Sequence, residues 1–151
     1  MPRHKGTALL QGQSQSIHGW ILKLANGYRN LGTGGVSMFG LLICLGAGIR
    51  PIITSSSDDK LKLALSAGKP GSIDTINYRT HPNWEEEATR LTNGRGVDIV
   101  IENVGPTSIA QSLSSLAQKG IISLVGFLGG FDIDRFPDTI TPVLLKTATI
   151  K

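Results

Sequence analysis

Gly32-Thr33-Gly34-Gly35-Val36-Ser37 is the stretch on which the fold of this chain turns. Its form, GxGxxS, is one residue away from the GxGxxG fingerprint, in which glycines permit a tight turn and bring backbone N–H groups close to a pyrophosphate. An apolar stretch follows at once, so the turn opens a helix whose first amides are placed to hold a diphosphate. Glycines alone would suit any turn that needs a positive φ, so the surrounding pattern has to decide.

Working outward, a first helix is expected from Val36 to Leu45, with Val36, Phe39, Gly40 and Ile43 on one face and Gly40 letting it sit close to a sheet. Ile52 to Thr54 is a β-branched run, and Ser55-Ser56-Ser57-Asp58 is a loop able to cap a helix from Asp59 to Ser66. The extra residues around Lys69-Pro70-Gly71 read as an exposed loop. Thr75 to Asn77 is a further short strand. His81-Pro82-Asn83 then breaks the chain before a helix from Trp84 to Leu91, with Glu85, Glu86 and Glu87 near its positive end. After the turn Asn93-Gly94-Arg95-Gly96, Val97 to Ile101 and Ile121 to Val125 read as buried strands. Between them a helix is expected from Ser108 to Gln118, closed by Lys119-Gly120. Short β-rich runs alternating with helical ones are the pattern of βαβ units, so the fold class is α/β, a doubly wound parallel sheet of the Rossmann kind.

Composition agrees. With 151 residues, 40% hydrophobic and 17% charged, the chain suits one domain and excludes a second of equal size. Aromatics at 5% beside 19 glycines favour a sheet-and-helix fold with tight turns over an aromatic-rich binding barrel. All 11 acids lie at or after Asp58, whereas residues 1–57 carry Arg3, Lys5, Lys23, Arg29 and Arg50. An acid-free half suits an anion, but these bases stand singly without interleaved aromatics, which argues against a nucleic-acid partner. The single Cys44 excludes an internal disulfide and fits a reducing, cytoplasmic compartment; inside an apolar helix it reads as a small core residue. The longest apolar run is about a dozen residues, short of the roughly 20 that cross a bilayer, so no membrane partner is expected. No secretory leader is visible.

A longer string of motifs carries a family likeness. Leu31-Gly-Thr-Gly-Gly-Val-Ser-Met-Phe-Gly, Thr54-Ser-Ser-Ser-Asp-Asp-Lys-Leu, Ile76-Asn-Tyr-Arg-Thr, Trp84-Glu-Glu-Glu, Thr92-Asn-Gly-Arg-Gly-Val-Asp, Asn103-Val-Gly and Ile122-Ser-Leu-Val-Gly-Phe-Leu-Gly-Gly-Phe follow in order. This string resembles the cofactor domain of medium-chain dehydrogenases/reductases, above all the zinc-type alcohol dehydrogenase and quinone reductase-like members. The resemblance implies a dinucleotide lying across the carboxyl ends of the strands. By position, Gly34, Gly35 and Val36, with Gly32 in the same loop, would meet its pyrophosphate. Ser55 stands where NAD-preferring relatives place an acid, with Ser56 beside it and Lys60 one turn into the helix. Hydroxyls and an ammonium tolerate a 2′-phosphate that a carboxylate would repel, so NADP is expected, with NAD as the alternative. Tyr78 is a ribose-phosphate contact in quinone reductase-like relatives, or else a surface aromatic over the adenine edge. Asn103 and Val104, and Gly126, Phe127 and Leu128, resemble the segments whose backbone faces the ribose and nicotinamide, although any βα turn contains such glycines.

The departures matter as much. The resemblance implies a second domain that supplies substrate contacts and, in zinc-dependent members, the metal ligands, and no part of this chain reads as that domain. His4, His18 and His81 are isolated, so no zinc site and no catalytic residue is expected here. A Tyr-xxx-Lys pair is missing, because Gly32 follows Tyr28 and Pro82 follows Tyr78 at that spacing; the short-chain dehydrogenase alternative loses its base. An adenosylmethionine-dependent methyltransferase would usually end its second strand on an acid, where this chain has Ser55. Residues 1–30 are atypical: Thr7 to Gly12 look like the family's first strand, parted from its loop by an insert, Gln13 to Leu31, of the kind a translated intron makes. Residues 31–151 are the dinucleotide-binding domain, incomplete because Thr147 to Lys151 is where the final strand would begin. The function expected is hydride transfer between NADPH and a carbonyl, alcohol, quinone or enone in an intact relative, a small-molecule substrate that this chain alone would not turn over. The alternatives are a non-catalytic dinucleotide-binding module and a non-functional gene-model fragment. An exposed, sticky stretch from Phe127 to Phe136 leaves homo-oligomerisation open.

Overall fold

Every strand pairing among the described residues is parallel. The computed structural model describes Trp20–Lys23 and residues 35–151. In chain order the elements are β1 (Trp20–Lys23), α1 (Gly35–Gly46), β2 (Pro51–Ser55), α2 (Asp58–Leu65), β3 (Asp74–Asn77), α3 (Trp84–Leu91), β4 (Val97–Glu102), α4 (Ile109–Ser115), β5 (Leu116–Leu124), α5 (Ile140–Lys146) and β6 (Thr149–Ile150). The sheet runs β3-β2-β1-β4-β5-β6. Winding therefore proceeds outward in one direction from β1 to β3 and in the other from β4 to β6. The switch between β1 and β4 opens a crevice at the carboxyl ends of the strands, where ligands of this architecture bind.

Helices cover both faces because successive residues of a strand point to opposite sides. Ile53 joins Leu41, Cys44, Leu61, Ala64 and Ile73 in one core under α1 and α2. Its neighbour Ile52 joins Ile76, Trp84, Val100, Leu113 and Ile122 in the other, under α3 and α4. Ser57 caps α2, its Oγ accepting from the Lys60 amide at 3.5 Å, as the serine run led one to expect. The Lys69-Pro70-Gly71 loop is exposed. No helix of the described residues is long and apolar enough to cross a membrane.

Three expectations are corrected. First, α1 buries Ser37, Leu41 and Cys44, while Val36, Phe39 and Ile43 of the expected face are 50%, 67% and 45% exposed. The helix is apolar nearly all round, so its composition carries no phase, and packing selects the stripe that has a small residue, Ser37, at its start. Second, α4 ends at Ser115 and passes straight into β5, so Leu116 to Gln118 are strand and Lys119-Gly120 closes no helix. Pairing of Leu116 with Val97 overrides the helical propensity of these residues; Lys119, at φ 63°, lies inside β5, whose pairing with β4 shifts register between Val97 and Ile99. Lys146 of α5 donates to the carbonyls of Ser114 and Leu116 at 2.6 and 2.7 Å, satisfying the abrupt helix end, and burial lowers its pKa.

Third, the central strand is Trp20–Lys23, from within the stretch read as an insert. It pairs with β2 from Trp20↔Pro51 to Lys23↔Thr54 and with β4 from Trp20↔Ile99 to Leu22↔Ile101. A central parallel strand shows only a short continuous apolar run, here Trp-Ile-Leu, with no alternation to reveal it. Thr7 to Gly12 lie outside the described residues. The last strand of the sheet is short: Thr149 and Ile150 pair with Ile121 and Ile122, and Lys151 donates its amide to Ile122 O at 2.9 Å.

Cys44 is fully buried, as expected of a core residue, and burial pushes its thiol up to about 11. Alkylation of the native protein at neutral pH is therefore expected to run about two orders of magnitude slower than after denaturation, since only the thiolate reacts. Labelling at the same rate in both states would show that α1 does not pack as described.

Candidate functional site

The loops after β2, β3, β4 and β5 and the start of α1 make up the site. α1 begins at Gly35 and packs against the central strand and β2, and the start of the helix that follows the central strand of such a sheet is where a pyrophosphate is held. A Cβ built on Gly35 meets nothing within 4 Å, which leaves this backbone open to close approach. Val36 is half exposed, and Ser37, in the place of the fingerprint's third glycine, is fully buried where close helix–strand packing demands a small residue. Gly32 and Gly34 lie outside the described residues.

At the end of β2, Ser55 is fully buried and its Oγ accepts from the Ser57 amide at 3.2 Å; Ser56 is 8% exposed. Beside them, the buried Thr54 Oγ1 has no hydrogen-bond partner among the described residues. Lys60 is exposed in the first turn of α2. Tyr78 is brought to the same place, its amide donating to Ser55 O at 3.1 Å. Sequence reasoning missed Asp58 here: Asn77 Nδ2 donates to its Oδ1 at 2.6 Å, tying the start of α2 to the end of β3. The signal was present in the order strand, three serines, acid, but nothing in it named Asn77 as the partner.

On the far side of the switch point, the loops after β4 and β5 are stitched together. The amides of Val125, Leu128 and Gly129 donate to the carbonyls of Glu102, Asn103 and Val104 at 2.8, 2.9 and 2.9 Å. Gly105, at φ 95°, lets the first loop turn under the second; a Cβ there would stand 2.8 Å from Phe127 Cδ1. Phe127, Phe131 and Phe136 meet edge to face with ring centroids 4.9 to 6.2 Å apart, so the stretch from Phe127 carries an aromatic cluster on the surface. Asn103, Val104, Gly126, Phe127 and Leu128 thus form one unit, and Ser55, Ser56, Lys60 and Tyr78 another. A cleft lined by Arg50, Asp74, Thr92 and Arg95 lies at the amino ends of the strands, away from both; Arg50 is held by Asp74 at 2.6 Å and Arg95 by Asp98 at 3.0 Å.

A switch point flanked by a glycine-started helix and paired βα loops is the site of a nucleotide-binding sheet, and comparison with known proteins gives the lineage. The family model described as zinc-binding dehydrogenase matches residues 35–151. The chain belongs to the zinc-binding dehydrogenase family. It is the cofactor-binding domain of a medium-chain dehydrogenase/reductase. A zinc-type alcohol dehydrogenase-like protein of Schizosaccharomyces pombe is 45% identical over 107 residues, 71% of this chain and 30% of the relative. The quinone oxidoreductase-like protein 2 of Bos taurus is 37% identical over 79 residues, 52% of this chain and 22% of the relative. A solved structure assigned as an alcohol dehydrogenase of Sinorhizobium meliloti 1021 superposes with a TM-score of 0.70 at 32% identity, over 89% of this chain and 35% of that one. The chain thus spans about a third or less of these relatives' lengths. Together they point to an NAD(P)-dependent oxidoreductase domain.

For zinc the described residues do not fit. Among the described residues no group of three or more His, Cys, Asp or Glu is placed to hold a metal ion. Cys44 is sealed in the core, and His81 is exposed beside Thr80.

Proposed function

We propose that this zinc-binding dehydrogenase domain binds NADP in preference to NAD. The observation that carries the reading is the end of β2, where Ser55 and Ser56 replace the carboxylate that would accept from a 2′-hydroxyl and repel a 2′-phosphate. Lys60, exposed one turn on, offers an ammonium, and the first acid after the strand, Asp58, already accepts from Asn77. Ser55, Ser56, Lys60 and Tyr78 would hold the adenosine half. Gly35 and Val36, with Gly32 and Gly34 before them, would hold the pyrophosphate. Asn103, Val104, Gly126, Phe127 and Leu128 would line the nicotinamide half. The dinucleotide supplies a hydride at nicotinamide C4, and these residues orient it.

In the parent reaction the acceptor is a carbonyl or an activated alkene. Residues that would bind such a substrate are not assigned within this chain, so it is proposed to bind the cofactor without turnover, in a reducing cytoplasmic compartment. Titration of the purified chain with NADPH and with NADH, followed by nucleotide fluorescence, tests the preference. Lys60→Glu is expected to weaken NADPH about tenfold and NADH less than about twofold, because charge reversal at an exposed phosphate contact is worth roughly 1.4 kcal/mol. Equal loss of both, or NADH binding as tightly as NADPH to the unchanged chain, sinks the preference. Reduction of simple aldehydes or quinones at an ordinary enzymic rate sinks the absence of turnover.

A further inference from the structure

Glu102, the last residue of β4, is a carboxylate with no solvent exposure, and nothing in the cofactor contacts described above uses it. Its Oε1 accepts from the Val104 amide at 2.8 Å, the Gly105 amide at 3.2 Å and the Ser108 hydroxyl at 2.8 Å. Its Oε2 accepts from the Ser112 hydroxyl. The carboxylate therefore reaches from the loop after β4 into α4, gathering donors on both oxygens, as its acceptor-only chemistry allows.

The two amides say more than the count. In a trans peptide the N–H and the preceding C=O point in opposite directions. Val104 N–H belongs to the same plane as Asn103 C=O, and Gly105 N–H to the same plane as Val104 C=O. Once Glu102 turns both N–H groups inward, both carbonyls must point outward, and these are the carbonyls that accept from Leu128 and Gly129 at 2.9 Å each. A buried carboxylate on one side thus sets the acceptors on which the other loop hangs. Gly105, at φ 95°, then turns the chain sharply after the second of these amides.

We infer that Glu102 is a positioning residue for the nicotinamide half of the site: it orients the two peptide planes after β4 and, through them, the loop Val125 to Gly130. This rests on the reading that these loops line the nicotinamide half, while the adenosine half is held at β2, α2 and β3. Two readouts on the full chain test it. Without ligand, Glu102→Gln is expected to accelerate amide hydrogen exchange at Leu128 and Gly129 at least about tenfold while the β2 and β3 amides keep their rates; a general loss of stability would speed all of them. With ligand, Glu102→Gln is expected to weaken NADPH about tenfold and to leave 2′,5′-ADP, which carries only the adenosine half, within about twofold.

Equal loss of both nucleotides, or loss of neither, overturns the inference. Should the unchanged chain bind neither, the dinucleotide reading fails and takes the inference with it. Ser112→Ala keeps the carboxylate but removes its anchor on α4, and serves if Glu102→Gln does not fold. A loss of about threefold in NADPH affinity with 2′,5′-ADP unaltered is expected, and an unaltered NADPH affinity in that variant overturns the inference equally.

Discussion

Gly96→Ala is expected to lower the unfolding free energy by about 2–5 kcal/mol, a large part of the roughly 5–15 kcal/mol that holds an ordinary domain together. Gly96 stands at φ 85°, and a Cβ there would lie 2.7 Å from Ala117 N, 2.7 Å from Leu116 C and 2.8 Å from Leu116 O. The obstacle is backbone, at the point where α4 becomes β5 and where Leu116 pairs with Val97. Two costs add: the left-handed conformation, roughly 1–2 kcal/mol for a residue with a Cβ, and overpacking, about 1–3 kcal/mol. Gly94 separates them. It has φ 83° in the same turn with nothing within 4 Å of its Cβ position, so Gly94→Ala carries only the first cost. Urea unfolding followed by circular dichroism should place Gly96→Ala well below Gly94→Ala. Equal midpoints would mean that the junction at Leu116 yields, and that the register shift between Val97 and Ile99 is not fixed by this contact.

Parts of this molecule were legible and parts were not, for physical reasons that differ by element. Trp84–Leu91 is a helix as expected, since a proline-asparagine break, an acidic first turn and an amphipathic stripe all point the same way. β2 and β3 lie within a residue or two of their expected bounds because β-branched runs sat between capping and turn residues. The phase of α1 was not legible, since a helix apolar on every side presents no stripe. Nor was β1, where three apolar residues between irregular flanks give no period. The end of α4 was decided by β4, not by the residues of α4 themselves.

The site divides in the same way. Its family segments were recognisable as short motifs, and the structure brings Ser55, Ser56, Lys60 and Tyr78 to one side of the switch point and Asn103, Val104 and Phe127 to the other. What no local pattern reveals is how the two loops after β4 and β5 depend on each other. That dependence runs through peptide planes and through Glu102, which in the sequence is only an acid ending an apolar strand. The donors that return to it from Gly105, Ser108 and Ser112 become visible only once α4 is folded back on the strand end.

Trp84→Ala is expected to have the largest effect on stability, about 3–5 kcal/mol from lost burial alone. The indole opens α3 at 4% exposure and packs in the core with Ile76, Ala88, Leu113 and Ile122, so it bonds α3 and α4 to the underside of the sheet. Its Nε1 donates to Gln111 Oε1 at 2.8 Å, while Gln111 Nε2 donates to Pro82 O at 2.8 Å and to Glu85 Oε2 at 2.7 Å. Truncation removes the ring and leaves a part-buried amide oxygen without this donor, a further cost of about 1 kcal/mol. Trp84→Phe keeps most of the bulk and loses the N–H, so a milder loss of about 1–2 kcal/mol is expected of it. Circular dichroism is the suitable probe, because the substitution itself alters tryptophan fluorescence. A cooperative transition in Trp84→Ala within about 1 kcal/mol of the unchanged chain would show that α3 does not carry this core. Because the paired loops and the β2 end stand on opposite sides of the switch point, the intermediate Trp84→Phe variant also reports on function. If α3 only supports the sheet from below, its nucleotide affinity should stay within about twofold of the unchanged chain wherever the protein remains folded.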